Sequence, residues 1–216
     1  MNDIVLWGRA NSSNVQKTVW ALEEAGVVYD RRDAGGKFGL LDTPELVAMN
    51  PNRLVPILQH GELTLWESHA IVRYVAAQFG GEALWPADAG KRAIVDQWTD
   101  WTLSTFQKGW ITLFWLLVRT PVERQDRAAI AAALADSVAA FRTMEAQLER
   151  TPYLSGERFG YADIVAGVSL YRWTTMEIER PDLPAVAAWH ERLRERPAFE
   201  KSVCVSYDDL RGRLAF

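Results

Sequence analysis

The chain has 216 residues, 49% of them hydrophobic, with 24 Lys and Arg against 28 Asp and Glu and a formal net charge of -4. That is enough apolar side chain for a packed core in one large domain or two small ones, and it offers no basic stripe to neutralise a row of phosphates, so nucleic acid is not expected as a partner. A single cysteine, Cys204, excludes an intrachain disulfide framework, a Cys-x-x-Cys redox pair and a zinc knuckle, and points to a reducing, cytoplasmic setting. Met1-Asn2-Asp3 runs directly into Ile4-Val5-Leu6-Trp7 with no cationic leader, so no targeting segment is expected. The most apolar stretch, residues 110–118, is far shorter than the roughly 20 residues of a membrane span and reads as a buried core helix; no membrane association is expected.

Residues 4–7 form a short apolar run suited to a strand buried on both faces. Val15, Val19 and Leu22 then recur at helical spacing until Gly26, and Val27-Val28-Tyr29 restarts a strand, which gives a parallel pair with a right-handed crossover. Ser13-Asn14-Val15-Gln16 has the pattern of a capping box for that first helix, with Ser13 as its cap. Thr43-Pro44 starts a short helix, with Thr as N-cap and Pro at the first helical position. Residues 55–58 and 62–65 read as an antiparallel hairpin around Gly61, and residues 68–79 as a helix closed by Gly80-Gly81. Beyond this point only helical periodicity remains. Thr120-Pro121-Val122-Glu123 predicts a capped helix start, Leu134, Val138, Phe141 and Leu148 mark the buried stripe behind it, and Phe159 to Ile164 predicts another cap with Asp163 at its third position. Val186, Trp189 and Leu193 mark one more helix before Pro197. The fold class is therefore an α/β N-terminal domain of thioredoxin-like order followed by an all-α domain: residues 1–81, a linker at 82–90, and residues 91–216.

Three segments match one family in order and spacing: Asn11-Ser12-Ser13-Asn14-Val15-Gln16-Lys17 after the first strand, Asn50-Pro51-Asn52-Arg53-Leu54-Val55-Pro56 before the third, and Trp66-Glu67-Ser68-His69-Ala70-Ile71 at the last helix of the first domain. With the Phe159 to Ile164 cap, they make the chain resemble the cytosolic glutathione transferases of theta-, beta- and nu-like type over nearly its whole length. The resemblance implies glutathione as co-substrate, a small hydrophobic electrophile as second substrate, no metal, and a homodimer. It implies that Ser68 and Glu67 hold the γ-glutamyl end of glutathione at a helix N-terminus, where unpaired N–H groups and the helix dipole favour an anion. Val55 before a cis Pro56 would pair with the cysteinyl unit like an added strand.

The thiolate partner falls among Asn11 to Asn14. A count back from Gly26 places the theta-type hydroxyl at Ser12 and the nu-type amide at Asn14, where beta-class relatives carry a Cys; Ser13 is the third choice. The second substrate would enter against the helix bearing Trp98, Trp101, Thr105, Gln107, Lys108 and Trp110. Gln107 stands where the beta class has a His, its Lys matches Lys108, and Trp98 and Trp101 read as core. Asp100 is placed by loose analogy across a dimer, toward the glutathione amino group. His60, His69 and His190 lack metal-ligand spacing, and Cys204 reads as packing. The alternatives within the fold are a glutathione-dependent disulfide reductase or peroxidase, a dehalogenase, and a noncatalytic transferase-like binding protein.

Overall fold

The computed structural model describes residues 3–214. Four short strands, β1 (Ile4–Trp7), β2 (Asp30–Arg32), β3 (Ile57–His60) and β4 (Leu63–Trp66), form one sheet in the order β2-β1-β3-β4. β1 lies parallel to β2, with Val5 opposite Asp30, and antiparallel to β3, with Leu6 opposite Leu58. β3 and β4 form the expected hairpin, registered Leu58 to Leu65. Alternation along β1 sends Ile4 and Leu6 into the main core, while Trp7 joins Ala34, Leu46 and Ile57 in a smaller cluster on the other face. Helix α1 (Ser13–Glu24) packs on α3 (Ser68–Phe79), and α2 (Pro44–Met49) carries Leu46 to the smaller cluster. Thr43 caps α2 as expected, its hydroxyl accepting the Leu46 N–H at 3.4 Å.

Three local expectations are corrected. The second strand starts at Asp30 and not at Val27. Gly26, at φ 64°, and the Val27 N–H bonded to the Leu22 carbonyl close α1, and residues 27–29 only lead back to the sheet, leaving Val28 69% exposed. Helix α1 begins at Ser13 with Ser12 as N-cap, so the box centred on Ser13 is not made. The Gln16 amide that would close it donates to the Val203 carbonyl at 3.4 Å. Thr120 ends the preceding helical run, and the helix begins at Arg127, where the Asp126 carboxylate caps the Ala128 and Ala129 N–H groups at 2.8 and 3.1 Å.

After α4 (Gly81–Leu84), helical structure runs from α5 (Ala89–Trp101) through a π segment (Thr102–Phe106), α6 (Gln107–Phe114) and a second π segment (Trp115–Arg119). Such wide turns rotate the side chains that follow them and often mark functional positions. Here Gln107 directly follows the first and Arg119 ends the second. Next come α7 (Arg127–Leu148), α8 (Tyr161–Gly167), α9 (Leu170–Thr175), α10 (Pro184–Arg194) and α11 (Pro197–Val203). Of the predicted α7 stripe, Phe141 and Leu148 are buried, while Leu134 and Val138 pack partly buried at its side. Asp163 organises α8: its carboxylate accepts N–H groups of Gly160 at 3.0 Å and Leu154 at 2.8 Å, and the Trp189 indole at 2.9 Å. Gly8 lets β1, α1 and the approach to β3 meet, because at φ 152° a Cβ there would lie 2.4 Å from Val15 and 3.2 Å from Val55. No helix among the described residues is long and apolar enough to cross a membrane.

Candidate active site

Gly8 therefore brings the N-terminus of α1 beside Val55. A cavity of about 230 Å³ lies there, lined by Ser12, Ser13, Asn14, Val55, Gln107, Phe114 and Trp115 among others. Ser12 adopts extended N-cap geometry, φ -83° and ψ 121°, and its carbonyl accepts the Gln16 N–H at 2.9 Å, yet its hydroxyl takes no part in capping. A hydroxyl at a helix N-terminus and not used by that helix is a donor for an anion, and the first-turn N–H groups add to it.

Behind this wall sits Lys17, the last residue of the first of the three segments, fully buried. Its Nζ donates to Asn14 Oδ1 at 3.1 Å and to Gln107 Oε1, and meets His69 Nε2 at 3.0 Å. His69 Nδ1 lies 3.1 Å from the Thr99 carbonyl, which fixes it as the donor and leaves Nε2 as an acceptor. Three acceptors around one ammonium match its three N–H bonds. Burial lowers the Lys17 pKa to about 7, the Glu67 carboxylate opposing that shift. Burial, then the charges of Lys17 and Arg73, drive His69 down to about 2, so it is neutral. Because Lys17 holds the amide oxygens of Asn14 and Gln107, their NH₂ groups remain as donors for the cavity. A lysine at helical spacing from Asn14, in a helix whose neighbouring positions are buried, was the available signal.

Glu67 and Ser68 stand at the start of α3. Ser68 is the first helical residue and is 5% exposed; Glu67 is its N-cap in a rare conformation for a non-glycine residue, φ 70° and ψ 109°, with an exposed side chain. Val55-Pro56 is cis, and Val55 precedes Ile57, the first paired residue of β3, so its N–H and C=O lie outside the ladder.

The remaining sequence candidates separate. Trp110 is 2% exposed within the core. Lys108 lines a different groove, with Trp101, Ser104 and Thr112, and is not among the residues lining the Ser12 cavity. Asp100 is exposed and pairs with Arg73 of its own chain. Trp98 and Trp101 pack edge to face at 5.1 Å against the core. Among the described residues no group of three or more His, Cys, Asp or Glu could hold a metal ion.

The family model described as glutathione S-transferase, N-terminal domain, matches residues 2–77, and that for the C-terminal domain matches residues 127–192. The chain is 40% identical over 204 residues to glutathione S-transferase GstB of Escherichia coli strain K12, covering 94% of this chain and 98% of the relative. This chain belongs to the glutathione S-transferase family. It is also 32% identical over 211 residues to glutathione S-transferase 3 of Zea mays, covering 94% of each chain. Among solved structures, the theta class glutathione S-transferase of Xanthomonas axonopodis pv. citri with glutathione bound superposes with a TM-score of 0.92 at 51% identity, over 95% of this chain and 99% of that one. Membership of the family accounts for the thioredoxin-like order of the sheet and the helical second part.

Proposed function

We propose that this transferase binds glutathione with its γ-glutamyl end at Glu67 and Ser68, its cysteinyl backbone on Val55, and its sulfur at Ser12. The bound thiolate then attacks an electrophilic carbon. The observation that carries this reading is the Ser12 hydroxyl: it sits at the N-cap of α1, unused by the cap, in the same cavity as Asn14, Val55 and Gln107. A free thiol near pKa 8.5 is only a few per cent thiolate at neutral pH, and lowering it by about two units requires roughly 2.7 kcal/mol of selective stabilisation. A hydroxyl hydrogen bond to a charged sulfur, about 1.5–3 kcal/mol, with the end of a helix dipole, is sufficient without a general base. The Asn14 and Gln107 NH₂ groups, held outward by Lys17, make the same wall favour an anion. Ser12 is thus the proposed catalytic residue, Asn14 a second donor, and Lys17 a positioning residue.

Retention on immobilised glutathione, followed by conjugation of electrophiles, tests the reading. Ser68→Ala should raise the glutathione KM about tenfold or more, the loss of one hydrogen bond to a carboxylate. An unchanged KM in the folded variant would remove the γ-glutamyl assignment, and retention without turnover would favour a noncatalytic binding protein. Exposed Leu63, Trp66, Ile94 and Leu103 support a homodimer. Sedimentation should then give twice the chain mass of 24.4 kDa.

A further inference from the structure

Lys17 carries a charge into the core with no anion among its hydrogen-bond partners. Its side chain is fully buried, and Asn14, Gln107 and His69, the three groups around Nζ, are all neutral. The Glu67 carboxylate, on an exposed side chain at the start of α3, acts on it as a charge and not as a hydrogen-bond partner. Arg73, the other charge that bears on His69, is paired with Asp96 at 2.6 Å and with Asp100 of α5. On the remaining elements packed against α1, Asp163 of α8 holds Gly160, Leu154 and Trp189. Arg196 and Lys201, at α11, pair with Glu24 and Glu23 at the C-terminal end of α1. An ammonium enclosed in this way costs the fold free energy that a nearby anion offsets.

Asn14 and Gln107 both line the Ser12 cavity, so one amide group separates the Lys17 nitrogen from the space proposed for the sulfur. Resting on the glutathione reading above, we propose that Lys17 is the counter-charge of the bound thiolate, the anion at Ser12 forming together with a proton taken up at Lys17 Nζ. The balance closes. The S–H bond gives its proton to solvent, the Lys17 amine takes one from solvent, and a complete exchange releases none. Such coupling is reciprocal: the ammonium lowers the thiol's pKa by as much as the thiolate raises that of the lysine. An opposite charge within about 4–6 Å shifts a pKa by about 1–3 units, and the intervening amide puts the coupling at about one unit or more. Burial, opposed by Glu67, holds Lys17 at about 7, so amine and ammonium are both populated near neutral pH. The amine has two N–H bonds for three acceptors, so the ammonium alone satisfies all three and holds both amides with their NH₂ groups toward the cavity. His69, at about 2, and the guanidiniums of Arg9, Arg119 and Arg172, which also line the cavity, keep one protonation state over this range.

Proton exchange separates this role from that of a lysine that only orients amides. Calorimetric titration in buffers of different ionisation enthalpy counts the protons released per site when glutathione binds. S-methylglutathione, which has no thiol, removes the share of the amino and carboxylate groups, and ultraviolet absorbance counts the thiolate gained. At about pH 8 a free thiol is roughly three quarters protonated. A lysine that only orients amides therefore predicts a release equal to the thiolate gained. Uptake at Lys17 should make the release fall short by about 0.4 proton per site or more, for a coupling of about one unit. At about pH 6, where Lys17 already carries its proton, the shortfall should nearly vanish, a check that needs no variant. In Lys17→Met the release should equal the thiolate gained, and the pKa of the bound thiol should rise by about one unit or more. Equality in the unmutated protein at about pH 8 overturns the proposal. So does a shortfall that persists at about pH 6 or in Lys17→Met. Glutathione that does not bind, or that binds with no gain of thiolate, defeats the reading of the sulfur at Ser12 itself, an outcome distinct from a missing proton uptake.

Discussion

Glu67 starts α3 in a backbone conformation that is costly for a residue with a side chain. At φ 70° and ψ 109° it lies outside the regions favoured by L residues, and such a residue costs about 1–3 kcal/mol. Glycine adopts positive φ freely but loses about 0.5–1 kcal/mol more in chain entropy. Glu67→Gly should therefore gain about 0–2.5 kcal/mol net, or up to several degrees in Tm at about 2–4 °C per kcal/mol for a chain of this size. Glu67→Ala keeps the strain and should gain nothing. Ser12 supplies the control, because it is also an N-cap but at φ -83°. The Gly-minus-Ala difference there reports cap preference alone. Thermal unfolding of the four variants, with glutathione affinity measured alongside, tests the reasoning. Both Glu67 variants should bind glutathione about tenfold or more weakly, having lost a charged contact to its amino end. If the Gly-minus-Ala difference at position 67 does not exceed that at position 12, the backbone there is not strained and the argument fails.

Ser12→Ala should raise the pKa of enzyme-bound glutathione by about one to two units, roughly 1.4–2.7 kcal/mol, read from thiolate absorbance titrated in the ultraviolet. If Asn14→Ala moves that titration and Ser12→Ala does not, the amide is the thiolate's partner. Lys17 titrates near 7 in the fold against an ordinary 10.5. The unfolded chain thus binds the extra proton between those values, and stability rises with pH across that window and carries the full cost below it. Lys17→Met should lack this rise, so parallel stability curves for the two proteins over that range in denaturant would exclude a depressed Lys17. Asp163→Ala strands the N–H groups of Leu154 and Gly160 and the Trp189 indole, and should cost about 3 kcal/mol or more by denaturant unfolding, each buried donor left unpaired costing about 1–3 kcal/mol. A loss under about 1 kcal/mol, the size of an ordinary cap, would show that these donors find other partners.

The parts of the fold legible in the sequence were those whose signals are local. Ser68–Phe79 has the predicted bounds, Thr43 caps α2, and Asp163 caps α8, because each pattern is satisfied within a few residues. The candidate site was legible where two of the three motifs fall: Ser12, Asn14 and Val55 line one cavity, which Gln107 joins from the second part of the chain. Lys17, Arg119 and Arg172 were not, since a basic residue in sequence reads as surface until the fold buries it. Arg172 reaches the Asn11 carbonyl across 161 positions of chain, a distance that no window of spacing spans.

The Ser12 and Ser13 pair shows how a sound local rule yields to a distant partner. Ser13 and Gln16 have the residue types of a capping box, which needs the Gln16 side chain to turn back to the helix start. Instead it crosses to the Val203 carbonyl at the end of α11, 187 positions away. That carbonyl belongs to the last turn of a helix, where acceptors lack intrahelical donors, so an amide buried at the α1–α11 contact serves two helices at once. With Gln16 engaged there, the box cannot close at Ser13. The helix starts one residue earlier in its cap, and Ser12 stands at the positive end of α1 with its hydroxyl uncommitted. The packing of the second part of the chain on α1 therefore helps to decide which of the two cavity-lining serines stands at the N-cap.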